Sequence, residues 1–222
     1  MFGKAVLVAA LLAAGLSGCD YLSSIGESEP PPLPGQRLSV LQLEPTIAPD
    51  PEIQDVSVRL PPPYPNADWP QLGGSANRAM HHLEAPPVLQ PVWSVNIGAG
   101  SSDEARIVTP PVVAGGVVFA MDAEGVISAL SANFGKLLWE LDPRPEDDDG
   151  GFGGGLAFSG NRLFAVTGYG DVLGLEPSSG KVVWRRPLLV PMRAAPVVSG
   201  ERVFVVSYDN QTWALDGRNG EV

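Results

Sequence analysis

The chain has a single cysteine, Cys19, in 222 residues, so no disulfide can form within it and an oxidatively stapled fold is excluded for this sequence. Histidine is nearly as scarce. His81 and His82 are the only two, and as neighbours their side chains diverge. No cysteine or carboxylate stands at a zinc spacing from them, so both are expected on exposed turns. Positive charge is also short: fourteen basic against twenty-five acidic side chains leave a net charge of −11, which disfavours nucleic acid and anionic lipid head groups as partners. No apolar run is long enough to cross a bilayer, and no serine or cysteine sits in a nucleophile motif. The glycine-rich stretch 150–155 lacks the Lys-Ser/Thr ending of a phosphate cradle and is expected to let the backbone approach a neighbour closely. The acidic run 146–150 is contiguous, whereas a compact calcium loop alternates ligands with spacers, so it reads as a solvated loop. The sequence therefore nominates no catalytic residue, no metal ligand and no cofactor site.

What is present begins with Lys4, an apolar stretch at 5–16, and Leu16-Ser17-Gly18-Cys19. This pattern resembles a bacterial lipoprotein signal with its lipobox, predicting cleavage before Cys19 and acyl chains on that cysteine. Between Cys19 and Pro65 fall eleven of the 23 prolines, with triplets at 30–32 and 61–63. Such a segment buries too little apolar surface to offset ordering and favours extended geometry, so residues 19–65 are expected to be a tether.

Beyond residue 65 the chain repeats. Aligned on Phe119, Phe164 and Phe204, each unit has a glycine four residues earlier (Gly115, Gly160, Gly200) and a small residue then leucine ten and eleven later (Ala129-Leu130, Gly174-Leu175, Ala214-Leu215). Sixteen residues after each anchor stands Gly135, Gly180 or Gly220, and the first two units add Trp139 and Trp184 twenty residues after the anchor. The anchors are 45 and 40 residues apart, the period of four-stranded propeller blades. The apolar runs at 117–121, 163–166 and 203–206 are nearly continuous, as in strands covered on both faces. The reading is an all-β propeller with blades at 110–142, 155–187 and 195–222. Trp93, 46 residues before Trp139, marks a closing strand near 92–97. Three blades fall short of a ring, which takes about four to eight, so the chain is expected to be a fragment of a protein roughly twice as long.

The unit Gly-x-x-x-Phe, Ala-Leu, Gly-Lys-x-x-Trp resembles the tryptophan-docking repeat of pyrroloquinoline-quinone-type propellers. In those proteins the tryptophan stacks on the turn of the next blade, which implies structural roles for Trp93, Trp139, Trp184, Gly135, Gly180 and Gly220. The opening 69–74 (Trp-Pro-Gln-Leu-Gly-Gly) and the segment 151–158, with the lipobox and tether, resemble the BamB family of outer-membrane assembly factors as found in alphaproteobacteria. That resemblance implies an eight-bladed, non-enzymatic lipoprotein scaffold, of which this chain supplies about three blades, facing the periplasm from the outer membrane and binding the periplasmic repeats of BamA within the assembly complex. It also implies a partner contact on an inter-blade loop with an apolar residue before arginine, matched here by Met192-Arg193. Asp20 departs from the pattern, since in enteric bacteria aspartate after the lipidated cysteine resembles an inner-membrane retention signal. Two rivals share the repeat: a quinoprotein dehydrogenase, whose resemblance would bring an adjacent cysteine pair, a calcium site and a catalytic aspartate, and an envelope propeller with another partner.

Overall fold

The computed structural model describes residues 50–53, 55–146, 151 and 153–222. The lipobox, Cys19, Asp20, the tether up to residue 49 and the acidic residues 147–149 lie outside them. The chain divides into two compact units, Met1–Ser57 and Val58–Val222. In the first, the described residues form a turn in which the Ile53 N–H donates to the Asp50 carbonyl at 3.1 Å.

The second unit is built from antiparallel meanders. Blade 1 is β1 (Val112–Ala114), β2 (Val117–Met121), β3 (Ile127–Ser131) and β4 (Leu137–Leu141), paired in that order. Blade 2 is β5 (Gly154–Ser159), β6 (Arg162–Thr167), β7 (Asp171–Leu175) and β8 (Val182–Pro187). Blade 3 holds β9 (Val197–Ser199), β10 (Arg202–Val206) and β11 (Thr212–Asp216). No helix occurs among the described residues, and none is long and apolar enough to cross a membrane.

The repeat in sequence is a repeat in register. Phe119 pairs with Ala129, Phe164 with Gly174 and Phe204 with Ala214. In the two four-stranded blades the residue opposite the phenylalanine is small because the tryptophan of the outer strand lies over it. Trp139 pairs with Ala129 and Trp184 with Gly174, where a Cβ on the glycine would come within 2.4 Å of the indole. A bulge falls at the same point of both complete blades, between Ala129 and Leu130 and between Gly174 and Leu175. A bulge bends a strand and re-aims its side chains, and here it precedes the tryptophan in each outer strand. Burial declines outward: β7 is buried throughout, whereas β4 and β8 are largely exposed. One apolar core joins blades 1 and 2 through Val112, Phe119, Ile127, Leu156, Leu163 and Leu173. A second joins blades 2 and 3 through Val166, Val172, Met192, Val203 and Leu215.

Residues 68–71 cross the first strands of all three blades. The Asp68 carboxylate accepts from the Gly115 N–H at 2.9 Å. Trp69 exchanges two backbone bonds with Val113 of β1, at 2.7 and 2.9 Å. The Pro70 carbonyl accepts from the Phe158 N–H of β5 at 2.7 Å. The buried Gln71 amide closes on Val198 of β9, accepting from its N–H and donating to its carbonyl, both at 2.9 Å. An edge strand presents unpaired backbone groups, and four consecutive residues here satisfy such groups on three sheets. Gln71→Ala would strand the Val198 N–H and carbonyl in a buried setting, with an expected cost of about 2 kcal/mol in a urea titration followed by circular dichroism. An unchanged midpoint would remove Gln71 from the fastening.

The segment 92–97, expected as a closing strand, pairs with no strand among the described residues. Its alternating Trp93, Val95 and Ile97 line one apolar groove with Val118, Ala120 and Leu130 of blade 1. The segment thus has the side-chain alternation of a strand without a ladder, because no other described strand lies alongside it.

Candidate partner-binding face

The elements that hold the blades together also fix the loops between them. The Trp93 N–H donates to the Ala132 carbonyl at 2.8 Å, Trp139 to Pro177 at 2.8 Å and Trp184 to Gly217 at 3.1 Å. Each indole lies flat against a turn glycine of the following sheet: a Cβ would meet the Trp93 ring at 2.7 Å from Gly135, and the Trp139 and Trp184 rings at 2.6 Å from Gly180 and Gly220. These glycines have φ values of +63°, +72° and +72°, so both the backbone and the close approach demand a residue without a side chain. Within each interface the ring also meets its blade's anchor, Phe119 with Trp139 at 5.9 Å and Phe164 with Trp184 at 6.1 Å between centroids.

At the opposite end of the strands, the connections between blades are stitched down. Arg144 is bound to Asp142 at 2.6 Å and reaches Glu124 at 3.3 Å, while the Tyr169 hydroxyl donates to the Glu124 carbonyl at 3.2 Å. The side-chain hydrogen bond from Arg144 holds the Asp142 carboxyl below its ordinary value. Arg185 pairs with the buried Asp171 at 2.8 Å and donates to the Pro143 carbonyl at 3.2 Å.

The second connection, 188–196, bridges the turns of blades 2 and 3. Leu188 N–H donates to Gly170 at 2.8 Å, Met192 N–H to Thr167 at 3.2 Å, and Tyr208 N–H to Pro191 at 2.9 Å. Met192 is fully buried in the core between blades 2 and 3. Of the pair nominated for a partner contact, only Arg193 therefore reaches the surface; Met192 is the root of the loop, drawn inward by its apolar neighbours. The Arg193 guanidinium lies 4.7 Å from the centroid of Tyr208, which is 66% exposed. Leu189, 86% exposed and at φ +60°, projects from the same loop. A left-handed φ is uncommon for a leucine, and here it holds an apolar side chain out in solvent. The sequence did not single out Leu189 or Tyr208, because their exposure beside Arg193 is a property of the folded loop.

Elsewhere, the His82 ring nitrogen Nδ1 lies 2.7 Å from the Pro61 carbonyl, and His81 has φ +52°. Among the described residues no cluster of histidine, cysteine, aspartate and glutamate is arranged to hold a metal ion.

Four-stranded antiparallel sheets, repeated side by side and locked by a tryptophan from each to the next, define a β-propeller of pyrroloquinoline-quinone-like repeats. The chain belongs to the family described as outer membrane protein assembly factor BamB, whose model matches residues 90–150 and 123–222. It is similar to the outer membrane protein assembly factor BamB of Yersinia pestis, with 26% identity over 137 residues, 59% of this chain and 35% of that protein. It is also similar to a 1-butanol dehydrogenase (quinone) of Thauera butanivorans, 33% identical over 104 residues, 44% of this chain and 16% of that protein. The fold matches the quinohemoprotein alcohol dehydrogenase of Comamonas testosteroni with a TM-score of 0.57 at 20% identity, over 70% of this chain and 26% of that one. The chain thus spans about a third of the length of the assembly-factor relative it matches.

Proposed function

We propose that this chain is a scaffold of outer-membrane protein assembly, held to the periplasmic face of the outer membrane by lipid on Cys19 and docking the periplasmic repeats of BamA. The observation that carries this reading is the assembly-factor family match over 90–150 and 123–222. Supporting it, the loop with Leu189 and Arg193 is fastened to two blades, so its exposed side chains are presented with little ordering left to lose on binding. Exposed apolar and aromatic groups around an arginine are the composition of interface hot spots. Arg193→Ala in the full-length protein is expected to lower BamA retention in a pull-down by at least about tenfold, with the melting temperature unchanged because the side chain is exposed. Unchanged retention would remove Arg193 from the contact, and failure of the unsubstituted protein to retain BamA would sink the reading itself.

A second reading is favoured by the similarity to the butanol dehydrogenase: a quinone-dependent enzyme on the same blades. The sequence offers Cys19 alone where such enzymes carry adjacent cysteines. Alcohol-dependent dye reduction by the full-length protein supplied with pyrroloquinoline quinone and calcium would establish the enzyme; the scaffold reading expects none.

A further inference from the structure

Residues 59–65 read Arg-Leu-Pro-Pro-Pro-Tyr-Pro and lie outside the blades. Proline rings fix φ at 61, 62, 63 and 65, and the residues that precede a proline, Leu60, Pro61, Pro62 and Tyr64, are steered to extended ψ. The covalent chain thus sets a polyproline II helix on both sides of one soft joint, the ψ of Pro63 and the φ of Tyr64. That joint is locked from outside. The Tyr64 N–H donates to the His82 carbonyl at 3.1 Å, its carbonyl accepts from the Glu84 N–H at 2.8 Å, and its hydroxyl donates to the Met80 carbonyl at 2.8 Å.

A polyproline II helix repeats every three residues, so its side chains fall on three edges. Pro61 and Tyr64 share the edge bound to residues 80–84, where the His82 Nδ1 lies 2.7 Å from the Pro61 carbonyl. The other two edges carry Leu60 with Pro63 and Pro62 with Pro65. Leu60 is 69% exposed, and the three prolines are exposed as well. Arg59, exposed and in no ion pair among the described residues, adds a cation at one end of the run. A spacer needs reach but no locked joint, whereas a recognised segment binds more tightly when its shape is fixed beforehand.

We infer that residues 59–65 are a preformed polyproline ligand for a partner protein whose aromatic-lined groove carries a carboxylate at one end. Proline rings on two adjacent edges offer flat apolar faces with no side-chain entropy to lose, the shape that aromatic grooves in proline-recognising domains accept. A proline helix looks nearly alike from either end, so the pairing of Arg59 with the groove carboxylate fixes which way the segment lies. This segment makes no use of Arg193, so it binds or fails to bind independently of the BamA contact.

The test is NMR titration of a labelled SH3 domain, chosen for an aromatic groove that takes Pro-x-x-Pro segments beside an acidic patch, with the unlabelled full-length protein. Saturable shifts are expected at the groove aromatics. Binding should be at least about threefold tighter than that of the capped peptide acetyl-Arg-Leu-Pro-Pro-Pro-Tyr-Pro-amide, because the joint between Pro63 and Tyr64 is already ordered. Arg59→Ala should weaken it about two- to fivefold, the worth of an exposed ion pair. Pro62→Ala combined with Pro65→Ala should abolish the shifts with the melting curve retained, since both rings are exposed. If that double variant does not fold, excess capped peptide decides, by displacing the full-length protein from the groove or failing to. In solubilised envelopes the unsubstituted full-length protein should retain a protein that the same peptide elutes. No groove shifts, shifts undiminished by both alanines or by the peptide, binding weaker than the free peptide's, or no peptide-sensitive retention would each overturn the assignment.

Discussion

Replacing Trp184 by alanine is expected to lower the free energy of unfolding by about 4 kcal/mol, the range for removing a buried tryptophan. The side chain is 9% exposed, lies over Gly174 within its own sheet and against Gly220 of the next, and donates to the Gly217 carbonyl at 3.1 Å. Alanine therefore removes packing on both sides and leaves a buried carbonyl without its donor. Trp184→Phe keeps an aromatic face without the N–H and should cost about half as much. The check is equilibrium urea unfolding followed by near-ultraviolet circular dichroism, and a loss below 1 kcal/mol would show that the indole is not the fastener between these blades.

The second large effect belongs to Gly154, the first residue of β5. Its φ of +119° lies outside what side chains ordinarily adopt, and an added Cβ would stand 2.1 Å from the Val166 carbonyl oxygen. That oxygen belongs to the backbone of β6 and cannot swing aside like a flexible side chain. Gly154→Ala combines backbone strain with overpacking and is expected to cost about 4 kcal/mol, read from the denaturation midpoint. Gly160→Ala is the control: its Cβ meets nothing within 4 Å, so only the strain of φ +56° remains and the loss should be about 1 kcal/mol. Equal losses in the two variants would show that space at β5 is not the constraint.

The repeating sheets were legible because the constraints that make them are local in sequence. A phenylalanine needs a small residue opposite it, and a docked indole needs a bare glycine beneath it. These requirements recur at fixed offsets as Phe119, Ala129 and Gly135, and again as Phe164, Gly174 and Gly180. The fastening by residues 68–71 was not legible, because Trp69 and Pro70 act through backbone groups that carry no residue signature, and Gln71 meets a strand 127 residues away. The resemblance pairs Met192 with Arg193 as a partner contact; Met192 is fully buried because the loop turns that side chain into the core, an orientation that the residue types alone do not carry.

The cross-blade segment also bears on the order of assembly. Residues 68–71 precede in the chain every strand they fasten, so each sheet, as it forms, meets a receptor already in place. Closure lengthens from Trp69–Val113 to Pro70–Phe158 and then to Gln71–Val198, but its entropic cost grows only as the logarithm of the span, so the last seam is little harder to make than the first. A vectorially emerging chain can in this way count its sheets into position one after another instead of waiting for its far end.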